Sequence, residues 1–145
     1  MSAELRFELT ESTKTAEEFI QLYYQSVDHK RHQISRLYMD NAIAAWNGNG
    51  INGKENIQEF FQGLPATEHT ASVCDVQPII DEATSNQKTL LILVSGSLRV
   101  LNNPLKQFQQ TFVISAQDDK WKIVRDCFRI QDSLCPQFKR TAHFK

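Results

Sequence analysis

The stretch that most constrains how this chain can fold lies near its C-terminal end. Two runs rich in aromatic and β-branched residues, Phe108-Gln109-Gln110-Thr111-Phe112-Val113-Ile114-Ser115 and Trp121-Lys122-Ile123-Val124-Arg125-Asp126-Cys127-Phe128-Arg129-Ile130, flank a turn that carries Asp118 and Asp119. Such runs around turn formers predict an antiparallel hairpin. In the second arm the even positions hold Val124, Phe128 and Ile130 and the odd ones Trp121, Ile123 and Cys127, so neither face reads as solvated. An antiparallel sheet normally wets one face, so each face is expected to have a cover: the chain's own helices on one side, a partner on the other.

Upstream, Ala16, Phe19, Ile20, Tyr23, Tyr24 and Val27 recur at helical spacing opposite Glu17, Glu18, Gln21 and Gln25. They predict an amphipathic helix that starts between residues 5 and 14, with Thr15 and Glu18 able to form a capping box. Asp28 can cap a second, short helix through His29-Lys30-Arg31-His32 to Met39, with Ile34, Leu37 and Tyr38 facing inward. Ala42 to Asn47 reads as a strand and Gly48-Asn49-Gly50 as a turn into a stub at Ile51. Asn52 and Glu55 then open a third helix striped by Ile57, Phe60, Phe61 and Leu64 and stopped by Gly63 and Pro65. Three long β segments follow: Thr70 to Ile80, Lys88 to Leu101, and the hairpin. Helices first and strands second predict an α+β fold, a cone of three N-terminal helices packed on a curved, mostly antiparallel sheet. Residues 1–132 are expected to form a single domain and residues 133–145 a loosely attached basic tail.

Composition narrows the function. With 145 residues, 41% of them hydrophobic and 23% charged, the chain can bury one sizeable core. A net charge of -1 lacks the basic excess that drives broad phosphate-backbone binding, so no direct nucleic-acid partner is expected. Cys74, Cys127 and Cys135 include no C-x-x-C pair and read as free thiols in a reducing compartment. The N-terminus has no signal-like apolar run and Leu90 to Val94 is too short to span a bilayer, so a soluble, intracellular protein with no membrane partner is expected.

Chemistry-bearing residues are sparse. Asp75 and Asp126 fall within strands, where a carboxylate buried on the cone side would act as a base; the plainer reading has each facing solvent or paired with an arginine. His29 and His32 lack further ligands for a metal, and His69 reads as a surface loop residue. Tyr23, Tyr24 and Tyr38 belong to helix stripes. No nucleophile triad or glycine-rich phosphate loop is present, and no cofactor is expected. Arg129 stands out, because a guanidinium inside Cys127-Phe128-Arg129-Ile130 is either an edge residue in water or a desolvated bidentate partner for a carboxylate.

Several stretches resemble the nuclear-transport-factor-2-like family, in particular its small messenger-RNA export branch. They are Ala16-Glu17-Glu18-Phe19, Tyr23-Tyr24, Ser35-Arg36-Leu37-Tyr38-Met39, Trp46-Asn47-Gly48-Asn49, Glu59-Phe60-Phe61, Leu64-Pro65, Asp81-Glu82-Ala83-Thr84, Trp121-Lys122-Ile123, and Asp126-Cys127-Phe128-Arg129 with Gln131-Asp132. The resemblance implies a helix-and-sheet cone without enzymatic activity that shuttles between nucleus and cytoplasm. It also implies a heterodimer with the equivalent domain of the large messenger-RNA export receptor, contact with nucleoporins at the nuclear pore through that receptor, and pairing of Arg129 with a partner aspartate. The segment His29 to Gln33 matches loosely, and the residues after Asp132 run beyond the expected end. Binding of the GTPase Ran, a property of the founding branch, has no matched residues here. A cone enzyme and a Ran carrier are the competing functions.

Two structural expectations follow. The cone interior should be filled by Phe19, Tyr23, Phe60, Phe61, Phe112 and Phe128. Strand alternation puts Phe108, Phe112, Ile114, Leu90, Ile92 and Val94 on the helix side, and Ser95, Ser97, Arg125 and the expected partner-contacting set on the outer side. That set is Arg129, Cys127, Ile123, Gln131, Arg99, Gln109, Thr111 and Val113.

Overall fold

A computed structural model describes residues 2–79 and 88–131. The element order is α1 (Ala3–His29), a 3-10 helix (Arg31–Leu37), β1 (Tyr38–Trp46), β2 (Asn49–Asn52), α2 (Lys54–Gln62), β3 (Thr67–Ile79), β4 (Thr89–Val100), β5 (Lys106–Gln117) and β6 (Lys120–Gln131). The six strands form one sheet in the order β2-β1-β6-β5-β4-β3, antiparallel throughout except where β1 runs parallel to β6. The segments Asp81 to Thr84 and 133–145 lie outside the described residues.

The first helix is longer than its apolar stripe. It begins at Ala3 and runs past Thr15 without a new cap; within it the Thr10 and Thr13 hydroxyls donate back to the carbonyls of Arg6 and Leu9, both at 2.9 Å. Only its later turns are buried: Ala16, Phe19, Ile20, Tyr23, Tyr24 and Val27 pack onto the sheet, while Phe7 stays exposed. Asp28 caps nothing, since it lies inside α1 and the next element is a tight 3-10 helix rather than an α-helix.

The interior is filled largely by rings, as expected. Tyr23 meets Phe112 with centroids 4.8 Å apart, Phe108 stacks on Phe128 at 5.3 Å, and Phe128 stacks on Trp46 at 4.0 Å. Edge-to-face and offset contacts of this kind add to the area that the rings already bury. Gly96 shows how closely neighbouring strands approach, because a Cβ there would lie 2.1 Å from the Thr70 carbonyl oxygen on β3 and 3.0 Å from the Phe108 ring on β5.

The hairpin of β5 and β6 contains one irregularity with large consequences. Val113 pairs with Arg125 but Ile114 pairs with Ile123, leaving Val124 as the extra residue of a bulge. The slip resets the alternation, so Ile123 joins Phe128 on the buried side. The outward placement of Ile123 is therefore corrected: it is 0% exposed and belongs to the core. On the outward side Arg125, Cys127, Arg129 and Gln131 remain, all exposed. β6 thus has one apolar face and one polar face; the two-sided apolar pattern in its sequence comes from the bulge.

Candidate functional site

The outer sheet face is read from the strand registers. Starting at β1 or β6, three cross-strand rows run to β3: Ile43, Arg125, Val113, Leu91 and Gln77; Ala45, Cys127, Thr111, Leu93 and Asp75; and Arg129, Gln109, Ser95 and Val73. A fourth holds Gln131, Gln107, Ser97 and Thr70. Of the sequence-predicted set, Arg129, Cys127, Gln131, Gln109, Thr111 and Val113 share this patch. Arg99 lies beyond it, opposite Glu68, with its guanidinium 3.4 Å from the Asn103 carbonyl oxygen. Ile123 is on the other face.

Among the described residues no helix covers these rows. Val73, Leu93 and Ile43 remain 54%, 47% and 40% exposed, one in each of the first three rows, on β3, β4 and β1. None of these three apolar residues is in the sequence-predicted contacting set. The signal for Leu93 was present in Leu91-Ile92-Leu93-Val94, an unbroken run whose two parities are both apolar.

Arg129 is positioned by a turn. Asn47 and Gly48 both have positive φ, 49° and 88°, the pattern of a tight hairpin turn between β1 and β2. Asn47 binds β6 at two points: its backbone N–H donates to the Phe128 carbonyl at 2.8 Å, and its side-chain oxygen accepts from the Ile130 N–H at 2.8 Å. The residue between them is Arg129, whose Nη2 passes 3.9 Å from where a Gly48 side chain would begin. Among the described residues no carboxylate lies within ion-pair distance of Arg129. It is an exposed cation held over a turn, available to an external anion.

The inner face holds the chemistry that the sequence reading underestimated. Asp126 is 4% exposed and accepts a hydrogen bond from the Tyr38 hydroxyl. Having donated there, Tyr38 accepts from the Tyr23 hydroxyl at 3.0 Å; Tyr23 accepts from Gln110 Nε2 at 3.3 Å, and Gln110 Oε1 accepts from Tyr24 at 2.7 Å. Burial raises the Asp126 pKa to about 7 against the opposing bonds from Tyr38 and Gln110, and burial pushes all three tyrosines well above their ordinary value. The expectation that Asp126 faces solvent or an arginine is therefore corrected. Asp75 does face outward and is exposed.

His69 is also corrected. It lies in β3, not in a loop, and its side chain is 1% exposed. Its Nδ1 is 2.7 Å from Asp28, its backbone N–H donates to the same carboxylate at 2.8 Å, and its ring stacks on Tyr24 at 5.1 Å. The Thr67 hydroxyl adds a third bond to Asp28 at 2.8 Å. Burial raises the Asp28 pKa, but the bonds from His69 and Thr67 outweigh it and hold the carboxyl below its ordinary value. A groove of about 840 Å³ runs past this pair between α1 and β3, lined also by Tyr24 and Cys74. It lies beside the ring-filled interior, and the bonds that hold Asp28 as a carboxylate make it a weak base. Its bonds pin the end of α1 to β3.

A family model for the nuclear transport factor 2 (NTF2) domain matches residues 15–130. NTF2-related export protein 1 of Bos taurus is 40% identical over 92% of this chain and 99% of its own length. The structure of nuclear transport factor 2 from Cryptosporidium parvum superposes with a TM-score of 0.74 at 22% identity, covering 83% of this chain and 95% of that one. A chain of the C. albicans Mtr2-Mex67 M domain complex does so with a TM-score of 0.69 at 14% identity, covering 85% and 98%. Both superpositions show the same fold.

Proposed function

Because the chain belongs to the nuclear transport factor 2 family, and within it to the NTF2-related export proteins, we propose that it is the small, non-enzymatic subunit of a messenger-RNA export heterodimer. Its partner is the nuclear-transport-factor-2-like domain of the large export receptor, which packs on the outer sheet face. The observation that carries this reading is the outer face, with exposed Val73, Leu93 and Ile43 and with an Arg129 that has no carboxylate within ion-pair distance among the described residues. Solved structures that share this fold include the C. albicans Mtr2-Mex67 M domain complex, in which Mtr2 is bound to the Mex67 M domain. Through the receptor the chain reaches nucleoporins and moves between nucleus and cytoplasm, with no nucleic-acid or membrane contact of its own.

The charges on the face favour a different chain over a second copy. Within the four rows the charged residues are Arg125 and Arg129 on β6 and Asp75 on β3. A second copy therefore brings more cations than carboxylates, and Asp126 is buried and cannot serve. Desolvated like charges cost several kcal/mol, whereas a partner carboxylate opposite Arg129 forms a charge-assisted pair. The identity to an export protein favours this pairing over a Ran carrier.

The test is co-expression with the receptor domain followed by size-exclusion chromatography. The expected result is one heterodimer peak, with GDP-form Ran eluting separately. A chain that co-elutes with Ran and not with the receptor domain would refute the proposal.

A further inference from the structure

On the helix side of the sheet, away from the outer face, α1, the 3-10 helix and the start of β6 enclose a second recess of about 430 Å³. Its floor is apolar: Phe19 and Leu22 from α1, Leu37 from the 3-10 helix and Trp121 from β6. Leu22 is 50% exposed although it lies on the helix that otherwise supplies the core. One wall is cationic, made by Arg36, Lys120 and Lys122, which reach it from the 3-10 helix and from β6. Among the described residues none of these three has a carboxylate within ion-pair distance; Arg36 makes a single 3.5 Å contact with the Gln33 side chain. The opposite wall, on α1, carries Thr15 and Glu18. Asp118 and Asp119 occupy the turn before Lys120 but do not line the recess.

We propose that this recess docks a short amphipathic segment of another protein, with an aliphatic or aromatic ridge for the Leu22-Trp121 floor and carboxylates along one flank of that ridge. Charge complementarity fixes the occupant and its orientation. Three cations face one anion across the floor, so an acidic flank is drawn to the wall of Arg36, Lys120 and Lys122, and a neutral or basic flank lies against Glu18. A membrane is a poorer fit because the apolar residues form the floor of a recess and do not project toward a flat surface. A nucleic acid is a poorer fit because one tryptophan and a net charge of -1 make neither a stacking platform nor an extended cationic groove.

The probe is a fluorescein-labelled helical peptide with leucines in one i, i+4 stripe and glutamates along one side of it, titrated into the full chain by fluorescence polarisation. Saturable binding is expected. It should weaken about tenfold or more in the double variant Lys120→Glu/Lys122→Glu and in Leu22→Ser, both surface changes that leave circular dichroism unchanged. Replacing the glutamates by glutamine, or moving them to the other flank, should weaken it similarly. No binding of the parent peptide, or equal binding of the flank-shifted one, overturns the proposal. So does tighter binding of phosphatidylserine vesicles or of an RNA oligonucleotide through the same lysines.

Discussion

The two faces of β6 differ in what they do with polar groups. Facing the helices, Asp126 and Phe128 alternate within a packed interior where each polar atom is bonded, through Tyr38, Tyr23, Gln110 and Tyr24. Facing away, Arg125, Cys127 and Arg129 alternate on a surface with half-exposed apolar residues and, among the described residues, no carboxylate bound to Arg129. The same strand thus completes its hydrogen bonding on one side and leaves it open on the other. The difference teaches that the inner polar chain belongs to folding, where an unsatisfied group costs stability; in the proposed function the outer cation serves recognition.

Substitutions should separate the faces, with effects on stability that diminish from the first to the last. Phe128→Ala removes a buried ring stacked between Trp46 and Phe108, and about 3–5 kcal/mol of unfolding free energy should be lost in a urea titration. A loss below about 1 kcal/mol would mean that the aromatic stack is not the centre of the core.

Asp126 gives a pH signature of comparable size. Its folded pKa, about 7, lies above that of an unfolded aspartate, so the native state keeps a proton that the unfolded chain has released. The contribution of Asp126 to stability is therefore full below about pH 4, falls as pH rises to about 7, and is flat above that, a total on the order of 4 kcal/mol. Asp126→Asn keeps an acceptor for Tyr38 and should abolish the decline, leaving the variant more stable than the parent at pH 8 by chemical denaturation; an unchanged decline would clear Asp126. Asp28 has the opposite sign, because its carboxyl is held below its ordinary value. Its contribution is present above the unfolded pKa and is lost as pH falls through the folded one, so Asp28→Asn should flatten only the acid limb.

Gly96→Ala should cost about 1–3 kcal/mol, since the new methyl meets the Thr70 carbonyl backbone and the Phe108 ring and one of them must move. On the outer face Cys127→Ser should change stability by less than about 0.5 kcal/mol in the isolated chain. A large loss there would show that the outer face is part of the core.

Much of the architecture was legible because period and order are local properties. Alternating apolar residues placed Phe108, Phe112, Ile114, Leu90, Ile92 and Val94 inward, and the heptad-like stripe of α1 placed Tyr23 and Tyr24. The bulge at Val124 was not legible, since one unpaired residue leaves no mark in composition and still reverses the parity of Ile123. His69 and Asp126 were misread for a related reason. Their burial depends on partners distant in sequence, Asp28 for one and Tyr38 for the other, and no local pattern links those positions. Arg129 was legible as an anomaly, a guanidinium in an apolar stretch, although the Asn47-Gly48 turn that holds it was read one residue too late.

The central claim is that the outer face is a heteromeric interface oriented by Arg129. Titration calorimetry of purified Arg129→Asp against the receptor's nuclear-transport-factor-2-like domain, with circular dichroism confirming the fold, tests it most directly. The account predicts an unaltered spectrum and an affinity weakened by about 3–5 kcal/mol, because the partner's carboxylate is left buried without its cation. An affinity equal to that of the parent chain would contradict it and make Arg129 a solvent-exposed rim residue.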